Sequence, residues 1–478
     1  MTGTQAALAS VEGVFIIGTA LTVISTGLYL PFARRDVSSW RALAAVSVTL
    51  LSFWHWSAGE GFGPLDPAAT SLIVFLLVLS AAIKYGNQHY FKLLVFVISV
   101  AYSGALSLYA ATSTILAPER SVGVQTPIEI ETLVEKPDIV LIVLDGYGRS
   151  DVIRDLYGYD NEPFLNDLRA LGFDVARESV ANYSVTHFSL PALLNMSYVH
   201  QEGAEFANRD LAYLASQVAG ENDLVNLLKA NGYTYIHAEA DHWHNQCGGE
   251  VDICVPGPGL DITGHALLLN TPAGGLFYPE ANNPTTALNL ARIDQLEHWN
   301  DFVRDWRRGP PKFVFLHIPL PHPPLFLDAD CDLRINPDLG GRIMNDGNMS
   351  EEQLERRRDA WVDQVRCANQ TLRAFLSQVD PDAIVVILSD HGPDSYWVLD
   401  SKNPDAALRE RFSTISAVRL PEPCRGELPD DITTVNIFRE VMSCLSGKPI
   451  PTLDTRHYAA GFGGPIVRME PFLQNDAG

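Results

Sequence analysis

The chain has 478 residues, with 34 Lys+Arg against 57 Asp+Glu and a net charge of −23. That excess of acid excludes a nucleic-acid binder, which needs clustered positive charge to displace counterions from phosphates. The charge is unevenly placed: residues 1–113 hold five basic and four acidic side chains, so nearly all the acidity lies beyond them.

Four apolar stretches occupy residues 14–30, 42–56, 70–83 and 93–110. A spanning helix needs ~20 mostly apolar residues. Four such stretches in series, with no amphipathic period, predict four membrane helices. The first loop between them carries Arg34, Arg35 and Arg41, the third carries Lys84 and Lys92, and the second carries only Glu60 and Asp66. The positive-inside bias places the basic loops in the cytoplasm, which puts the N-terminus and everything after residue 113 outside.

All six cysteines (Cys247, Cys254, Cys331, Cys367, Cys424, Cys444) follow the last apolar stretch. An even number in an outside segment fits disulfides, with 15 pairings open. Sequential pairing closes the shortest loops and is the expectation; six buried free thiols are the alternative.

After a polar linker at 114–137, residues 138–478 read as one large α/β domain. The continuous apolar run 139–144 predicts a strand buried on both faces, as in a parallel sheet. Helical patterns follow at 162–171, 221–231, 285–308, 351–379 and 433–446, alternating with strand-like runs at 234–238, 313–317, 383–388 and 414–420. This alternation predicts a doubly wound α/β fold, whose ligand site lies beyond the carboxyl ends of the strands.

Three strands end in chemically rich residues. The first ends in Asp145-Gly146-Tyr147-Gly148-Arg149, another in His317 followed by Pro321-His322-Pro323-Pro324, and a third in Ser389-Asp390-His391-Gly392. Asp145, Asp390 and His391 form a mixed N/O set suited to zinc and tolerable for manganese. The segment Asn182-Tyr-Ser-Val-Thr-His-Phe-Ser-Leu-Pro191 places Thr186 and Ser189 at or near a helix start. A hydroxyl there is either a cap or a nucleophile activated by a metal. Two further features suggest less: His237, His242 and His244 read as a loop cluster, and the charge run 351–359 as an exposed helix face.

The VLDGYGRSD segment, the TxxSxP around Thr186, the LPHPP motif and SDHG, in that order, resemble the alkaline phosphatase superfamily. The nearest branch is its membrane-anchored, sulfatase-like enzymes, which include phosphoethanolamine transferases and lipoteichoic acid synthases. The resemblance implies that Asp145, Thr186, Asp390 and His391 ligate a divalent metal, Zn first and Mn second. It also implies that Thr186 is the nucleophile, with His322 beside the transferred group or protonating the leaving oxygen. His317 and Arg149 are the lesser, substrate-binding candidates, and each reads equally well as a structural hydrogen-bonding residue. True sulfatases convert a Cys or Ser of a C/S-x-P-x-R motif to formylglycine, and this chain reads Thr186-His-Phe-Ser-Leu.

The expected activity is therefore transfer or hydrolysis of a phospho group from a lipid or glycan phosphodiester. It would occur at the outer face of a cytoplasmic membrane, with a lipid donor, a glycan or lipid acceptor and no nucleic acid. A catalytically silent relative that senses lipid or regulates a partner is one alternative. A sulfuric ester hydrolase is the other.

Overall fold

The structure, a computed structural model, describes residues 122–123, 132–203, 205–206, 210–239, 246–255, 309–323, 325, 327–332, 350–394, 404–426, 428–460 and 464–469. The four apolar stretches and the helix expected at 285–308 lie outside these residues. Among the described residues no helix is long and apolar enough to cross a membrane.

In chain order the elements begin with β1 (Ile139–Leu144), α1 (Ser150–Tyr157), α2 (Glu162–Ala170), β2 (Asp174–Val175) and α3 (Thr186–Leu194). There follow β3 (Glu205–Phe206), α4 (Asp210–Val218), α5 (Asp223–Ala230), β4 (Thr234–Ala238), β5 (Ile253–Val255) and β6 (Lys312–Ile318). The rest are α6 (Glu351–Leu376), β7 (Ile384–Ser389), α7 (Pro404–Phe412), β8 (Ser416–Arg419), α8 (Ile437–Ser446), β9 (His457–Ala459), β10 (Gly464–Pro465) and β11 (Val467–Met469).

Seven strands form the main sheet in the order β2-β8-β7-β1-β6-β4-β5. The run from β7 to β5 is parallel, whereas β8 pairs antiparallel with β7 and β2 antiparallel with β8. The apolar pattern of β8 shows that it is buried but carries no information on direction, so the antiparallel edge is a feature that the sequence does not announce.

β1 lies at the centre, with every residue buried. Its alternate side chains enter opposite cores, as the pleat requires. Val140, Ile142 and Leu144 pack with Trp361, Val365 and Leu372 of α6. Ile139, Leu141 and Val143 pack with Leu190 and Leu194 of α3 and with Val441 of α8. A third, aromatic cluster gathers Tyr183, Phe188, Tyr198 and Tyr458.

The three disulfides are Cys247–Cys254, Cys331–Cys367 and Cys424–Cys444, the sequential pairing. Each clips a helix or strand to a neighbouring turn; Cys331–Cys367 ties the segment after β6 to the middle of α6.

Candidate active site

Because β1, β6 and β7 run in register and in parallel, their C-terminal residues arrive together. Leu144 pairs with Ile318 and with Ser389, so Asp145 and Asp390 leave adjacent strands at the same level. Gly146, at φ 75°, turns the chain sharply after Asp145, and its N–H reaches Asp390 Oδ1 at 3.3 Å. Ser389 stitches the same edge: its hydroxyl accepts the Tyr147 N–H at 2.8 Å and donates to the His391 carbonyl at 2.6 Å. Gly392 is obligatory, since a Cβ there would stand 1.9 Å from the Glu410 carbonyl oxygen.

His391 is the hub. Its Nε2 is 3.4 Å from Asp145 Oδ1, 3.4 Å from Asp390 Oδ2 and 3.2 Å from Thr186 Oγ1. Nδ1 is 2.9 Å from the Gly392 carbonyl, an acceptor that fixes the ring proton on that nitrogen and turns the Nε2 lone pair toward the carboxylates. Asp145, Asp390 and His391 are each no more than 2 % exposed. Burial, then the Arg411 guanidinium, holds His391 well below the usual histidine range. Burial, then the Asp145 carboxylate, pushes Asp390 well above the usual carboxylate range. Two buried carboxylates that repel each other, beside a neutral imidazole, form a donor set that a divalent cation would satisfy at once.

His317, near the end of β6, belongs to the same cluster: it is fully buried with Nε2 3.6 Å from Asp145 Oδ2. Ligand atoms of Asp145, His317 and Asp390 lie within 4.8 Å of one another, as do those of Asp145, His322 and His391. The His322 ring stands 6.0 Å from that of His391, and its Nδ1 is 2.6 Å from the Pro323 carbonyl. Gln364 of α6 holds this loop by donating to the Pro321 and His322 carbonyls at 3.1 and 3.4 Å.

Thr186 is the first residue of α3, where the helix dipole favours developing negative charge. Ser189, one turn further, donates to the Tyr183 carbonyl at 3.2 Å and is 1 % exposed. Of the two hydroxyls, only that of Thr186 meets the His391 cluster. The residue four beyond Ser189, where a formylglycine motif needs arginine, is Leu193.

Arg149 lies apart from this cluster. Its guanidinium pairs with both oxygens of Asp151, at 2.6 and 3.0 Å, and donates to the Ser179 carbonyl at 3.1 Å. His237 is buried in the core at the end of β4, with Nδ1 3.1 Å from the Tyr235 hydroxyl. His242 and His244 lie outside the described residues. Cys247 and Cys254, close to Glu239, are bonded to each other and offer no thiolate to a metal.

Sequence reasoning missed two supports of the site. Arg411, at 7 % exposure, donates from Nε to the Ser184 carbonyl at 2.6 Å and from Nη1 to the Gly392 carbonyl at 3.0 Å. It thus ties the loop before Thr186 to the loop after His391. Beneath the first loop, the Tyr183 hydroxyl accepts the Val199 N–H at 3.2 Å and donates to His200 Nδ1 at 2.8 Å. Tyr183 also stacks between Phe188 and Tyr458, with ring centroids 5.4 and 5.5 Å away.

The sulfatase family model matches residues 137–420, more than half of the chain, and the chain belongs to that family. Its members include sulfatase-like hydrolases and transferases, and this chain is an enzyme of that kind. Among solved structures it is similar to the C-terminal periplasmic domain of EcEptC from Escherichia coli in complex with zinc. That match has 14 % identity and a TM-score of 0.42, covering 73 % of this chain and 96 % of the other. It is also similar to the integral membrane lipooligosaccharide phosphoethanolamine transferase A from Neisseria meningitidis, at 13 % identity and TM-score 0.39, covering 80 % and 69 %. A 2-O GAG sulfatase matches at 11 % identity and TM-score 0.40, covering 68 % and 77 %. No curated protein matches the chain.

Proposed function

We propose that this chain is a membrane-anchored, metal-dependent phospho-group transferase or phosphodiesterase that works outside the membrane through Thr186. The observation that carries the reading is the placement of the Thr186 hydroxyl 3.2 Å from His391 Nε2, at a helix N-terminus and against two buried carboxylates. Three disulfides support an oxidising compartment for this domain. Anchoring by the four apolar stretches would keep it in the leaflet that supplies a lipid donor.

Asp145, Thr186, Asp390 and His391 would hold the divalent ion, zinc or manganese. Bound there, the ion supplies positive charge that lowers the hydroxyl pKa and stabilises phosphoryl oxygens. The Thr186 oxygen attacks the phosphorus of a lipid or glycan phosphodiester, the P–O bond to the donor alcohol breaks, and a phosphothreonine diester forms. His322, whose Nδ1–H is held by the Pro323 carbonyl, gives a proton from Nε2 to the departing oxygen. An acceptor hydroxyl on a glycan or lipid, or water, then attacks the same phosphorus, returning its proton to His322 and freeing Thr186. Arg411 keeps the attacking loop and the His391 loop in one register throughout.

Leu193 in place of the motif arginine, and the Ser189 hydroxyl turned to the Tyr183 carbonyl, favour this chemistry over formylglycine-dependent sulfate hydrolysis. The test uses the purified full chain with bis-p-nitrophenyl phosphate and a fluorescent phospholipid. Thr186→Ala should lower turnover by at least ~10³-fold while the melting temperature stays within a degree or two, and Thr186→Ser should retain part of the rate. Unchanged turnover by Thr186→Ala overturns the proposal.

A further inference from the structure

The N-terminal half of α6 carries buried donors that the mechanism above does not use. Arg357 is 2 % exposed, and among the described residues its Nε and Nη2 meet no hydrogen-bond acceptor. Trp361, one turn on along the same helix face and also 2 % exposed, has an indole Nε1 that likewise meets none. The Tyr157 ring packs against Trp361 at 4.4 Å and its hydroxyl is held by Glu410, so Tyr157 does not serve either donor. The carboxylate whose charge acts most on Arg357 is Asp394, four residues beyond Asp390, and the two form no ion pair within 4.0 Å among the described residues.

An orphaned neutral donor is costly to bury, and an orphaned guanidinium more so. Three donor nitrogens on two neighbouring side chains, one of them cationic, match an oxyanion better than a neutral carbonyl, which would leave the charge uncompensated. Their place in the fold says what carries the oxyanion. α6 leads into β7 and runs back along the sheet, so its N-terminal half lies at the edge where Asp145 and Asp390 emerge. Gln364, which holds the His322 loop, is seven residues from Arg357, about 10 Å along the helix axis.

We infer that Arg357 and Trp361 form a subsite for a second oxyanion (phosphate, sulfate or carboxylate) on the substrate, separate from the group that Thr186 attacks. The inference rests on the proposed transfer reaction for its place in catalysis and makes the substrate a polyanion. Arg357 supplies the charge and two donors, Trp361 the third.

The test has two arms on the full chain in detergent. In the first, the protein is stripped with chelator and binding of inorganic phosphate is followed by 31P NMR line broadening. Wild type should bind; Arg357→Met should weaken binding at least tenfold, Trp361→Phe several-fold, and Arg357→Lys less than Arg357→Met. Melting curves confirm that each variant is folded. No phosphate binding by wild type, or equal binding by Arg357→Met, overturns the subsite. So does a loss of stability common to Arg357→Met and Asp394→Asn without any phosphate effect, which would make the pair a structural contact.

The second arm compares turnover of two synthetic phosphodiesters, identical except that one carries an additional phosphate on the donor alcohol. Wild type should prefer the additional phosphate, and Arg357→Met should lose the preference while keeping the rate on the simpler compound. Weakened phosphate binding with the preference intact would overturn the assignment to substrate and leave a site for free anion. If wild type turns over neither compound, the transfer reaction fails, and the binding arm still decides the subsite.

Discussion

Replacing Asp390 by Asn should do opposite things to the metal-free and the metal-loaded protein. Ligand atoms of Asp145 and Asp390 stand within 4.8 Å of each other, and both side chains are buried. At an effective dielectric near 20, two unit charges at that separation repel by about 3 kcal/mol. Asparagine removes one charge at nearly constant shape and can still accept the Gly146 and His391 N–H groups that Asp390 Oδ1 accepts at 3.3 and 2.9 Å. In excess chelator at pH 8, Asp390→Asn should therefore melt several degrees above wild type. With zinc at about a thousand times its dissociation constant, wild type should gain about 4 kcal/mol by mass action and the variant little. The order of the melting temperatures then reverses. Scanning fluorimetry of the full chain with chelator and with zinc reads both signs. A variant that melts below wild type in chelator, or gains as much from zinc, would refute the view that these carboxylates are held together for a cation.

Two other outcomes follow from the supports of the site. Arg411→Lys keeps a charge but cannot reach the Ser184 and Gly392 carbonyls as a fork. At about 1.5–3 kcal/mol for a charge-assisted hydrogen bond, it should lower kcat roughly 10- to 100-fold. KM should be little changed, and an unchanged kcat would remove Arg411 from the account. His200 is pushed down to about 4, mainly by burial. The unfolded chain then takes up a proton near pH 6.5 that the folded chain refuses. Its contribution of about 3 kcal/mol is whole above pH 6.5 and is lost as pH falls toward about 4. His391 and His457 shift in the same direction, so the check is the difference between wild type and His200→Phe in denaturant titrations from pH 7 to 4.5. Equal slopes would contradict it.

The strands were legible where the physics is one-dimensional. The run 139–144 is a continuous apolar segment sealed on both faces, and β1 and β4 begin and end where the strand-like runs 139–144 and 234–238 do. The site was legible for a related reason: in a parallel sheet, residues after the strands share one edge, so Asp145, Asp390, His391, His317 and His322 meet. Burial of a charge is far harder to read. The run 351–359 looked like a solvated helix face, and Glu351, Glu352 and Glu355 are exposed, but Arg357 within it is 2 % exposed. Arg411 sits in a polar helix that the periodicity did not reveal, and its role depends on two carbonyls distant in sequence. The helices α1 and α4, of eight and nine residues, were missed in the sequence.

The central claim is a covalent intermediate on Thr186. Zinc-loaded full chain, mixed with excess phospholipid and quenched in acid during turnover, can be digested and the Thr186 peptide weighed. The account predicts a peptide heavier by the transferred phospho group, with the adduct localised to Thr186 by fragmentation and absent from Thr186→Ala. Turnover with an unmodified Thr186 peptide at every quench time, or an adduct on another residue, would contradict it.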